Sequence, residues 1–206
     1  MSNYQAAFNF AFEELRACDV ETVIRNANAE YSAAKRQFSV PFFQEPYLVS
    51  LASGKVVAAK DGQHCDWDTG IMILNYLTFA KDVVPSNRFI SLKEVPGGIN
   101  FFPAFQKAVL TPLIKTFEND LPAFTRCAEL LGGKKINLGH SAAKFEVFPK
   151  VPLAAVLWAG DEEINGASSI LFDSTVEYFS PTETIIGYGY YVSRKLLAYY
   201  GSNKNF

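Results

Sequence analysis

KFEVFPKVPLAAVLWAG, residues 144–160, carries the decision between a parallel and an antiparallel sheet. Two apolar, β-prone runs flank Pro149, and proline breaks a strand ladder, so the stretch reads as two strands joined near Pro149. So short a connection forces the strands antiparallel, because a parallel return needs a dozen or more residues. SSILFDS (168–174) and VEYF (176–179) read as further strand, and FISLKEV (89–95) alternates like one. YLVSLASGKVVAA (47–59) reads as two β segments around Ser53-Gly54, a hairpin.

Helices fill the intervals. Tyr4, Phe8, Phe12 and Leu15 recur at helical spacing over residues 3–17, and Asp19 stands ready to cap a second short helix through Ala29. Residues 30–46, with Pro41 and Pro46 and no clear period, read as loop. IMILNYLTFA (71–80) is apolar almost all round, the mark of a buried helix. After Pro96-Gly97-Gly98, a long helix aligns Phe101, Phe105, Val109, Leu113 and Phe117, and Pro112 predicts a kink or break in it. Pro122 and Gly132-Gly133 bracket another helix. Ser180-Pro181-Thr182-Glu183 predicts a capped start to a last helix running to Tyr200. Helices and hairpin-linked strands in this irregular order predict an α+β fold, a mainly antiparallel sheet packed with several helices. One domain is expected over 1–206, a helical and loop extension (1–46) packed on a 47–200 core.

Hydrophobic residues make up 49% of the 206, with 18 Phe and 10 Tyr, a globular composition. A net charge of −2 offers no basic field for nucleic acid. The amino terminus lacks the basic and apolar segments of a secretion signal, and the apolar run Val151–Ala159 is too short to span a bilayer. Cys18, Cys65 and Cys127 are odd in number and widely spaced, which suits free thiols in a reducing compartment. The expectation is a cytoplasmic protein without membrane or nucleic-acid partners.

Several places invite a ligand. DGQHCDWDTG (61–70) crowds a histidine, a cysteine and carboxylates. One reading makes His64 and Asp66, with Asp161 and Glu162 of LWAGDEE (157–163), a metal site. The more ordinary reading has Asp66 or Asp68 capping the helix that follows, since adjacent residues rarely all face one ion. The corrinoid pattern D-x-H-x-x-G fails, because Asp61 precedes His64 by three and the next glycine is Gly70. Gly97 and Gly98 precede a helix and would let an anion approach backbone N–H groups, without a phosphate-loop pattern to support it. His140 neighbours Ser141, but no G-x-S-x-G or H-E-x-x-H supports hydrolysis. Asp173 reads as a buried acceptor or a ligand group. In IGYGYY (186–191), Gly187 and Gly189 weaken a helix and permit close approach of another element or of a flat ligand, with the tyrosines beside it.

From roughly residue 46 to 198 the succession FISLKEVPGG, FFPAFQKAV with PLIKTF, ELLGG, FPKVPLAAVLWAGDEE and ILFDSTVEYFSPTE resembles an uncharacterised prokaryotic family known only as a domain of unknown function. That family is frequent in anaerobes, and some members resemble fusions to a cysteine-rich iron–sulfur module of corrinoid and carbon-monoxide metabolism. The chain has no such cysteine cluster, so no iron–sulfur centre carries over, and the resemblance brings no catalytic residues with it. Many aromatics, few candidate catalytic groups and the metabolic setting that the resemblance implies together suggest a cofactor- or ligand-binding accessory protein, with a corrinoid or related tetrapyrrole as ligand and a corrinoid or iron–sulfur protein as partner. The expected lining is Phe101, Phe102, Phe105, Trp158, Tyr188 and Tyr190, with Gly97 and Gly98. A metal-dependent hydrolase or transferase, and an interaction module without a small ligand, stand as alternatives.

Overall fold

The structure, a computed structural model, describes residues 3–202. The chain enters through α1 (Asn3–Ala17) and α2 (Val20–Ala27). Asp19 caps α2 by accepting the Thr22 N–H at 2.9 Å, and Asn28 closes it in the left-handed region at φ 49°. β1 (Glu30–Ser32), β2 (Gln37–Phe42), β3 (Glu45–Ser50) and β4 (Lys55–Ala58) then form an antiparallel meander. The loop expected over 30–46 is therefore mostly strand, with turns at 33–36 and 43–44. Phe38, Val40 and Phe42 alternate inward along β2, and Pro41 faces out. Pro41 pairs with Pro46, and the Ala59 N–H donates to the Pro46 carbonyl from the β4 side at 2.9 Å. The backbone polar edge of Pro46 thus points away from β2, and the β2–β3 ladder loses no donor there.

α3 (Trp67–Phe79) begins earlier than its apolar run, extended by its cap, and α1 packs along it. β5 (Phe89–Ser91) stops short of the expected strand, because Glu94 accepts the Ser91 N–H at 2.8 Å and starts a 3-10 turn over Leu92–Glu94. The long helix is divided as Pro112 requires. α4 (Phe102–Phe105) passes through a π-helical turn, Gln106–Leu110, into α5 (Thr111–Phe117). Phe105, Val109, Leu113 and Phe117 are buried along this stripe, whereas Phe101 precedes α4 and is exposed. α6 (Leu121–Leu130) starts at Asp120, which accepts the Ala123 N–H at 2.9 Å.

The second sheet has the order β5-β9-β8-β7-β6, with β6 (Lys134–Lys135), β7 (Ser141–Phe148), β8 (Val151–Trp158) and β9 (Ala167–Asp173), every pair antiparallel. Its centre is the 144–160 hairpin. β8 is buried from Val151 to Leu157, which is why it reads as a continuous apolar run instead of an alternation. The β7–β8 register shifts between Glu146 and Phe148, and the Val147 carbonyl accepts the Phe43 N–H at 2.8 Å. That bulge ties the two sheets together. VEYF is not a strand. Val176–Tyr178 is a 3-10 turn with Val176 and Phe179 buried three apart.

α7 (Thr182–Ser202) packs against α3, α5, α6 and the π-helical turn. Its Tyr188 sits edge-on to Phe148 at 5.8 Å, and Phe148 stacks on Tyr76 of α3 at 4.1 Å and 5°. Such ring pairs add about 0.5–1.5 kcal/mol to the burial itself. Ser180 does not cap α7: its hydroxyl meets the Tyr188 hydroxyl at 2.6 Å. Among the described residues no helix is long and apolar enough to cross a membrane.

Candidate functional site

α3 and α7 run antiparallel and are pinned at two levels. Asn75 Nδ2 donates to Thr184 Oγ1 at 2.7 Å, and Arg194 stands 4.0 Å from Asp66. Between these levels Met72 faces Gly187. The helices do not close over this stretch, and with the π-helical turn they border a groove of about 680 Å³. Ile71, Met72, Ala108, Ile186 and Tyr190 make its middle apolar. Asn75, Thr184 and Glu183 stand at one end, Asp68 and Arg194 at the other.

The π turn follows from local sequence. Pro112 has no N–H to donate, and the Thr111 N–H bonds back to the Gln106 carbonyl, widening the helix by one residue. Side chains support the widened turn: Ser193 Oγ donates to the Val109 carbonyl at 3.2 Å and Ser168 Oγ to that of Leu110 at 2.7 Å. Ala108 is thereby presented to the groove. Tyr190 is backed by Phe105, ring centroids 5.9 Å apart at 81°. Tyr191 stacks on Phe43 at 4.9 Å, and burial pushes its phenol up, so it stays neutral.

Of the residues expected to hold a ligand, Tyr190 lines this groove and Phe105 supports it from behind. Tyr188 is fully buried, its phenol pushed up by desolvation. Phe102 packs under the Lys93 ammonium at 4.2 Å, and Trp158 lies beside Gly139 at the end of β8. Gly97 takes the left-handed φ of 75°, and a side chain at Gly98 would strike the Leu92 carbonyl, so a turn and its packing account for both. These residues do not form one cluster with Phe101.

The metal alternative is dispersed as well. His64 is exposed in an isolated bridge to Val57. Asp66 Oδ1 accepts the Thr69 N–H at 2.8 Å and caps α3. Asp161 accepts the N–H groups of Glu163 and Ile164 at 2.9 and 2.8 Å, which hold its carboxyl below the ordinary range. Glu162 lies in the same turn as Asp161. Among the described residues no three His, Cys, Asp or Glu side chains gather to hold an ion. His140 Nδ1 accepts the Ala159 N–H at 2.9 Å, while Ser141 Oγ lies 3.2 Å from Thr125 Oγ1, so the two are engaged separately. Asp173 is a buried acceptor of five hydrogen bonds, from the N–H and hydroxyl of Ser86 and of Thr175 and from the Asn87 N–H. The three cysteines are free, and burial raises each thiol, Cys65 to about 11, which keeps them protonated.

Met72, Asn75, Ala108, Gly187 and Arg194 were not foreseen as one place. The available signals were the paired glycines of IGYGYY, of which Gly187 lines the groove, and Pro112, which follows the π-helical turn whose Ala108 lines it.

A family model described as Domain of unknown function (DUF3786) matches residues 19–195. No curated protein and no solved structure matches the chain. The matched span includes α3 and α7 through Arg194 and leaves α1 outside it.

Proposed function

This chain belongs to the DUF3786 family, and on that footing we propose that it is a ligand-binding accessory protein whose ligand lies in the α3–α7 groove. The groove itself carries the reading. At about 680 Å³ it has the size of a small-molecule site, with an apolar middle and a few polar groups at its ends. A corrinoid or related tetrapyrrole, used in anaerobic metabolism, is the proposed ligand class, and a corrinoid or iron–sulfur protein the proposed donor or recipient. The fit is of one kind only. Neither His64 nor His140 lines the groove, so a macrocycle would be held by its face and edges and not through an imidazole on its metal. Gly187 offers bare backbone to such a face, and Tyr190 offers a ring beside it.

The test is the absorbance spectrum of protein purified from its native host under anaerobic conditions. A tetrapyrrole or corrin band near one equivalent supports the reading. A colourless protein that also takes up neither added corrinoid nor added porphyrin contradicts it.

A further inference from the structure

Two features of the groove are not explained by packing. The first is Gly187, in the interior of α7, where glycine disfavours a helix. An added Cβ would stand 3.4 Å from Met72 Sδ and 3.7 Å from its Cγ, ordinary contact distances. Alanine would fit and would strengthen the helix. Gly189 differs, since its Cβ would stand 2.5 Å from Phe105 Cζ. Packing demands Gly189, whereas Gly187 leaves a strip of helix backbone open at the groove, where a flat surface can lie close.

The second feature is Asp68 and Glu183. Both are exposed, both border the groove, and among the described residues neither has an ion-pair or hydrogen-bond partner. Each lies in the first turn of its helix, where the dipole favours a carboxylate. The dipole does not require that both also face one groove. They stand toward opposite ends of it, because Glu183 adjoins Thr184, which bonds Asn75, and Asn75 is roughly 10 Å along α3 from Asp68 at 1.5 Å per residue. Arg194 is the cation of this lining. Its guanidinium is 4.0 Å from Asp66 and lies 5.9 Å from the centre of the Tyr191 ring, so its charge is balanced locally.

We infer that the groove takes a flat molecule bearing hydrogen-bond donors or positive charge on two opposite edges, its face against Gly187 and its edges at Asp68 and Glu183. The inference rests on the groove being the ligand site and specifies the ligand's chemistry. A macrocycle rimmed with amides around a cationic centre meets the description, and one rimmed with carboxylates does not.

Two dyes that share a tricyclic ring test it: proflavine, a cation with an amine on each outer ring, and acridine-9-carboxylate, an anion. Proflavine should bind, and the carboxylate should bind at least about tenfold more weakly at low salt. Asp68→Asn and Glu183→Gln should each weaken proflavine by about three- to tenfold and narrow the gap between the dyes. Gly187→Ala should weaken both dyes while raising the thermal midpoint, a divergence that a purely structural glycine would not produce. Equal affinity for the two dyes overturns the inference, as does proflavine binding that ignores both carboxylate substitutions. Proflavine failing where an added corrinoid binds overturns the charge assignment and leaves the groove standing. If neither dye nor corrinoid binds, the groove reading falls and the inference falls with it.

Discussion

Alanine should stabilise the protein at Gly187 and should leave it unchanged or less stable at Gly189. At Gly189 the new Cβ would stand 2.5 and 2.6 Å from Cζ and Cε2 of Phe105, and 3.6 Å from Ile170 Cγ2. Phe105 has no room to swing clear: it is 1% exposed and held between Phe172, at 6.4 Å, and Tyr190, at 5.9 Å. Overpacking of this kind costs about 1–3 kcal/mol. Replacing a mid-helix glycine returns about 1 kcal/mol. The net for Gly189→Ala therefore lies between neutral and a loss of about 2 kcal/mol, whereas Gly187→Ala has only the gain, about 0.5–1 kcal/mol. The variants should differ by about 1–3 kcal/mol, read as the shift in urea midpoint at unchanged slope. A Gly189→Ala protein as stable as Gly187→Ala would show that the Phe105 packing yields, and the distinction between the two glycines would be refuted.

Asp66→Ala should lower stability by about 0.5–2 kcal/mol, because the Thr69 N–H loses its acceptor, while His64→Ala should stay within about 0.5 kcal/mol of the parent by thermal denaturation. Burial pushes the Asp173 carboxyl up, but hydrogen bonds from Thr175 and Ser86 outweigh it and hold the group below its ordinary range. A depressed folded value means stability that is present above the unfolded value of about 3.9 and lost as pH falls through the folded one. Denaturant midpoints measured below pH 5 should fall with acid in the parent and fall less steeply in Asp173→Asn. Thiol titration in denaturant without reductant should find three groups, Cys18, Cys65 and Cys127; a count of one would reveal a disulfide.

The antiparallel sheet was readable because its central hairpin is local, with apolar runs on both sides of Pro149 and no room for a crossover. The α3 cap was readable for the same reason, since Asp66 stands directly before its helix. The strands of 30–46 escaped because Pro41 and Pro46 suggest a break, and only the pairing shows them opposite each other where no β2–β3 bond is lost. VEYF was misread because β-prone residues fill it, while the burial of Val176 and Phe179 follows a period of three. The groove was half readable. IGYGYY announced a place for close approach, yet nothing local distinguishes Gly187, whose Cβ would meet Met72 at ordinary contact distance, from Gly189, whose Cβ would strike Phe105. Asp68, Met72 and Asn75 reach it only through the antiparallel pairing of helices more than 100 residues apart in the chain. The expected lining residues Trp158, Phe101 and Phe102 share aromatic character and not position.

Ligand stoichiometry in a groove-blocked variant tests the central claim most directly. Gly187→Leu places a branched side chain over the groove floor from a half-buried position of α7 beside Met72, with better helix propensity than glycine. Parent and variant would be produced in the native host, checked for equal folding by circular dichroism, and compared by bound chromophore per chain. The parent should carry close to one equivalent and the folded variant close to none. Full chromophore in the folded Gly187→Leu protein would place the ligand elsewhere and contradict the account.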